Sequence, residues 1–117
     1  GLAHGANFIA GITVQTTRIL AQAGIENPAL YVRPLLEAAL ARALTEGVAG
    51  ISGPAARGDA GTIAAHARCL GARESLAGER DTYADMTRSL PRLLRDARLL
   101  DERAATSVEA ALLDPGA

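Results

Sequence analysis

The chain contains no lysine and no tryptophan: all 12 of its basic residues are arginines. Schiff-base chemistry, a phosphate-loop lysine and a lysine general acid are therefore excluded within these residues. There is one cysteine, Cys69, so no intramolecular disulfide and no cysteine-rich metal site can form. With two histidines and no second cysteine, a structural zinc site is not expected either. Aromatics make up only 3%, which is poor material for a β-sandwich. The apolar stretch Phe8 to Val14, interrupted by Gly11, falls far short of the roughly 20 residues needed to span a bilayer. Net charge is −1 with both signs interspersed, which disfavours nucleic acid and anionic membranes as partners.

What remains is 117 residues rich in alanine and leucine, enough for one helical domain with one core. The fold expected is all-α, a single domain of about six helices. The chain starts at Gly1 without a methionine, and reads as an excised domain or processed fragment.

Leu2 to Ala23 reads as one long helix, with Ala6, Ile9, Ala10, Thr13, Val14 and Thr17 along one face. Phe8, Ile12, Ile19 and Leu20 make it apolar on other sides too, as in a helix central to its domain or covered by a partner. Gly24 stops it. Asn27-Pro28 opens a short helix to Val32, and Pro34 starts another carrying Leu35, Leu36, Ala39, Leu40, Ala43 and Leu44, closed by Gly47. Val48 to Gly58 is a loop, with one 3₁₀ turn after Pro54. Asp59 caps a helix from Ala60 to Leu70, with Ile63, Ala67 and Leu70 inward. Glu79 to Leu99 is a helix with Tyr83, Met86, Leu90, Leu93, Leu94 and Ala97 along one side, kinked or broken near Leu90 by Pro91. Asp101 caps Glu102 to Leu113, with Ala105, Val108 and Leu112 inward, and Asp114 to Ala117 is expected to fray.

Chemistry-bearing residues are few. His4 and Asn7 share a helix face at a spacing of three. They would either polarise a carbonyl together or sit in solvent and bond a neighbouring loop. Gly11, one turn on, admits either a cofactor's edge or a second helix. Arg57 and Asp59 flank Gly58. They form an arginine fork for a carboxylate or phosphate beside a helix N-terminus, or a loop held by its own ion pair and cap. The Arg-Gly-Asp tripeptide is a chance match to an adhesion signal. His66, between Ile63, Ala67 and Leu70, is a satisfied core histidine or a ligand. Cys69 reads as a packing residue. Arg88, Arg92 and Arg95 form a stripe within helical reach of Asp85 and Asp96, which is expected to be a solvated, salt-bridged face.

The run Ser52-Gly53-Pro54-Ala55-Ala56-Arg57-Gly58-Asp59, continuing to His66, resembles the signature of a bacterial family. That family joins an N-terminal Rossmann-like NAD(P)-binding domain to a helical C-terminal domain of unknown function. The opening Ala3-His4-Gly5-Ala6-Asn7 is similar to the first helix of that C-terminal domain. The resemblance implies a fold like the C-terminal domains of 6-phosphogluconate dehydrogenase, the β-hydroxyacid dehydrogenases and ketopantoate reductase.

It further implies a substrate-side and dimerisation domain (1–117) of a cytoplasmic oxidoreductase using NAD or NADP on a small keto or hydroxy acid. Asn7 would be catalytic, with His4 in place of a lysine the broader group uses. Ser52, Arg57, Asp59 and His66 would face substrate, and Gly11 the cofactor. The implied partners are a second copy and the nucleotide domain of the intact protein, with no metal, nucleic acid or membrane. No strand–Gly-x-Gly-x-x-Gly–helix occurs in the chain, so the nucleotide domain is absent from it and the chain alone is expected to be inactive. The other reading is a helical dimerisation or regulatory module without chemistry.

Overall fold

The computed structural model describes residues 1–113. The expectation for Asp114 to Ala117 lies outside the described residues. The architecture is all-α, as expected. Six α-helices follow one another, with no strand among the described residues: α1 (Leu2–Gln22), α2 (Pro28–Glu46), α3 (Pro54–Arg57), α4 (Ala60–Gly71), α5 (Ala77–Asp96) and α6 (Glu102–Leu113). Short 3₁₀ turns occupy Gly47–Gly50 and Glu74–Leu76. The chain divides into two compact units, Gly1–Leu40 and the residues from Ala41 on.

In the first unit, α1 ends at a left-handed cap. Gly24 has φ 86°, and the N–H groups of Gly24 and Ile25 donate to the carbonyls of Ala21 and Leu20, both at 3.0 Å. A glycine is favoured at this backbone angle, and the two bonds satisfy carbonyls the helix end would leave open. Asn27 is also left-handed, with φ 49°, ahead of Pro28. One helix then runs from Pro28 through Pro34 to Glu46, where two were expected. Pro34 removes the hydrogen bond to the Leu30 carbonyl, but Leu30 is 73% exposed and water can take that bond.

Burial in this unit departs furthest from expectation. α1 has no buried residue along its 21 positions, and α2 has one, Val32. The α2 stripe expected to face a core is exposed at Leu35, Leu40 and Leu44, with only Leu36 half-buried. On α1, Phe8, Ile9 and Val14 are each more than half exposed. An amphipathic pattern states which face seeks cover; it does not say that this chain supplies the cover.

The second unit has a conventional core. Ala55 of α3, Ile63 of α4 and Val108 of α6 form its centre, with Tyr83, Leu90, Ala111 and Leu112 packed against them. Ile63 is 1% and Val108 0% exposed, so each contributes about 1.5–3 kcal/mol of apolar burial. α4 and α6 place Ile63, Leu70, Ala105 and Val108 inward as their spacing predicts. α5 follows the expected stripe only in part: Tyr83, Leu90 and Leu94 face inward. Met86, Leu93 and Ala97 are exposed, and the buried seam is Glu79, Thr87, Pro91 and Leu94, with Tyr83 and Leu90 half-buried beside it.

The helix also continues through Pro91 rather than breaking at Leu90. The proline ring is itself in the core, and its burial offsets the lost backbone bond. α5 stops three residues short of Leu99, at a left-handed cap formed by Arg98 (φ 59°), with Leu99 N–H donating to the Leu94 carbonyl at 2.8 Å.

Candidate functional site

The segment leading into α4 is built by its backbone. Gly53 adopts φ 99° and hands the chain to Pro54, the first residue of α3. The 3₁₀ turn expected after Pro54 lies earlier, at Gly47–Gly50, and Pro54–Arg57 is a full α-turn. Gly58 then takes φ 69°, and a Cβ there would stand 2.8 Å from the Ala104 Cβ of α6. Gly58 is therefore required twice, for its left-handed backbone and for close approach to α6.

Asp59 caps α4. Its Oδ1 accepts from the Thr62 backbone N–H at 3.0 Å and its Oδ2 from the Thr62 hydroxyl at 2.7 Å. Those two bonds hold the carboxyl below its usual range; the charges of Arg57 and His66 add to the effect, and desolvation opposes it. Arg57 stands two residues before Asp59, and His66 lies seven residues after it, two turns along α4. Thr62 and His66 share a face of α4 at a spacing of four, directly above the cap.

His66 is exposed, not a core residue: it lies at the edge of the α4 face that buries Ile63 and Leu70. Its Nδ1 lies 3.0 Å from the hydroxyl of Tyr83 on α5, and the two rings meet edge to face at 5.7 Å. Burial raises the Tyr83 phenol above its ordinary range, partly offset by a hydrogen bond from the Thr87 side chain. Two hydrogen-bonded pairs, Asp59–Thr62 and His66–Tyr83, thus form a polar patch along α4, with the exposed Arg57 two residues ahead of its cap.

Ser52 is engaged elsewhere. It is exposed, and its hydroxyl accepts from Arg42 Nη2 at 2.9 Å, tying the loop to the end of α2. His4, Asn7 and Gly11 lie along one face of α1 in the first unit, all exposed. The His4 ring packs edge-on against Phe8 at 4.8 Å. Within the first unit, nothing lies within 4 Å of a Cβ built on Gly11. Cys69 is free and exposed, where the sequence suggested a packing residue. The arginine stripe is a salt-bridged face as expected: Arg88 reaches Asp85 at 3.0 Å, and Arg95 reaches Glu102 at 3.2 Å.

Tyr83 and Thr62 are the residues that reading the sequence missed as site members. Thr62 carried a usable signal, the Asp-x-x-Thr spacing of a cap. Tyr83 lies 17 positions from His66, and no helical spacing links them.

Among the described residues, no group of three or more metal-ligating side chains converges. Among the same residues, no helix is long and apolar enough to cross a membrane. With no strand among the described residues, there is no strand–glycine turn–helix to hold a dinucleotide pyrophosphate. The residues present do not fit a dinucleotide site of that kind. No curated protein and no solved structure matches the chain. Residues 1–90, which span α1 to most of α5 and include the whole polar patch, match the family described as a domain of unknown function (DUF2520). The chain belongs to the DUF2520 family.

Proposed function

We propose that this chain is the substrate-side and dimerisation domain of an NAD(P)-dependent oxidoreductase acting on a small keto or hydroxy acid, with ketopantoate as the nearest substrate type. The observation that carries this reading is the patch at the head of α4, where an exposed arginine and histidine stand beside an ordered carboxylate cap. Arg57 is exposed and has the planar fork that suits a carboxylate. Asp59 keeps the loop in place, since both its oxygens are engaged by Thr62. Asn7, with His4, would hold the reacting oxygen, on an α1 face open to a ligand.

The cofactor, NAD or NADP, would be held by a Rossmann domain elsewhere in the intact, cytoplasmic protein. The bare flank of α1 supports a homodimer, because a 21-residue helix with no buried residue has its apolar surface available to a second copy. That same observation favours the alternative, a dimerisation or regulatory module without chemistry.

The experiment is oxidation of NADPH or NADH by the intact gene product with ketopantoate present. Acid-dependent turnover supports the oxidoreductase reading. An intact protein that dimerises yet neither binds the nucleotide nor turns over leaves the module reading.

A further inference from the structure

His66 and Tyr83 are joined by a hydrogen bond that fixes more than packing. An imidazole with one nitrogen engaged has its proton placed by that engagement. Here the engaged atom is Nδ1, 3.0 Å from the Tyr83 hydroxyl. In the arrangement where the phenol donates, its proton is directed at His66 Nδ1. Tyr83 is half-buried and packed against the core while His66 is exposed, so the pair runs outward from the core to the ring.

We infer that Tyr83 is the positioning residue for His66, holding the ring as the Nε2–H tautomer and presenting that N–H to a carboxylate or carbonyl oxygen of the ligand. Several features support this. The edge-to-face contact fixes the ring plane, and the hydrogen bond fixes its rotation about that plane. With Nδ1 engaged by Tyr83, Nε2 is the ring nitrogen left for an outside ligand to meet. Arg57 stands two residues before the Asp59 cap and His66 two turns beyond it on α4, so the same end of the domain carries a guanidinium and an imidazole. An acceptor-rich ligand, a small keto acid, matches two donors of this kind; a cation does not. The inference rests on His66 facing substrate, as proposed above.

The test is nitrogen-15 NMR of histidine-labelled intact gene product, with His66→Gln used to assign the signals. The wild type is expected to carry the His66 proton on Nε2, with Nδ1 as acceptor. Tyr83→Phe is expected to give a mixture of tautomers. A wild-type ring protonated on Nδ1 would overturn the assignment, as would a Tyr83→Phe ring that keeps the wild-type tautomer. Pyruvate, as the small keto-acid probe, is then titrated. It is expected to shift the His66 Nε2–H signal in the wild type, with a Kd several-fold weaker in Tyr83→Phe. A signal that pyruvate leaves unmoved overturns the ligand assignment and counts against the keto-acid reading, while the tautomer result still decides the role of Tyr83.

Discussion

Replacing Gly58 with alanine tests whether the loop before α4 is held by close packing or merely tethered. The structure gives two separate costs. At φ 69° the backbone is left-handed, which costs a residue with a Cβ about 1–2 kcal/mol. The new Cβ would also stand 2.8 Å from the Ala104 Cβ, closer than carbon atoms approach, so the loop or α6 must move. Overpacking of that kind costs about 1–3 kcal/mol. Together the substitution should destabilise the second unit by about 2–5 kcal/mol, read as a lower urea midpoint by circular dichroism.

The two costs can be separated. Ala104→Gly removes the clash and not the backbone strain, so the double variant Gly58→Ala/Ala104→Gly should show a favourable coupling of about 1–3 kcal/mol. A Gly58→Ala protein within about 0.5 kcal/mol of the wild type would refute the packing described here. Additive single effects would refute the contact with Ala104 while leaving the backbone argument intact.

Three further outcomes are expected. Arg98→Gly should stabilise the chain by about 1 kcal/mol in urea unfolding, because Arg98 caps α5 at φ 59° where glycine is unstrained. Stability should fall at both ends of the pH range. The Asp59 carboxyl is held below its ordinary value of 3.8, so its contribution is present above that value and lost as pH falls through the folded-state value. Asp59→Asn should flatten that acid limb. The Tyr83 phenol is raised above its ordinary value of 10.0, so its contribution is intact below pH 10.0 and lost as pH rises through the folded-state value. Tyr83→Phe should remove that part of the alkaline limb, and urea midpoints measured across pH check both.

Local chemistry was legible in the sequence wherever one short segment decided the outcome. The Asp59 and Asp101 caps, the glycine stop of α1 and the inward faces of α4 and α6 depend on residues within a turn or two of each other. Decisions made by distant packing were not legible. Pro34 and Pro91 both lie inside continuous helices, one where the freed carbonyl belongs to an exposed residue and the other where the ring joins the core. On α5 the apolar residues Met86 and Leu93 misled, because Thr87 and Glu79 occupy the buried seam instead.

The site followed the same rule. Arg57 and Asp59 stood out by their loop, whereas Tyr83 came into reach of His66 only through the packing of α5 on α4. The faces of α1 and α2 were readable as apolar, but their exposure depends on what this chain leaves uncovered.

The proposed substrate-side role in an oxidoreductase rests on Arg57 holding a carboxylate. Steady-state kinetics of the intact gene product and its Arg57→Ala variant test it most directly, with ketopantoate varied at saturating NADPH and then the reverse. Loss of a charge-assisted hydrogen bond worth about 1.5–3 kcal/mol predicts a KM for the acid raised roughly 10- to 100-fold, with the KM for the nucleotide unchanged. An unchanged KM for the acid, or a loss confined to the nucleotide, would contradict the account.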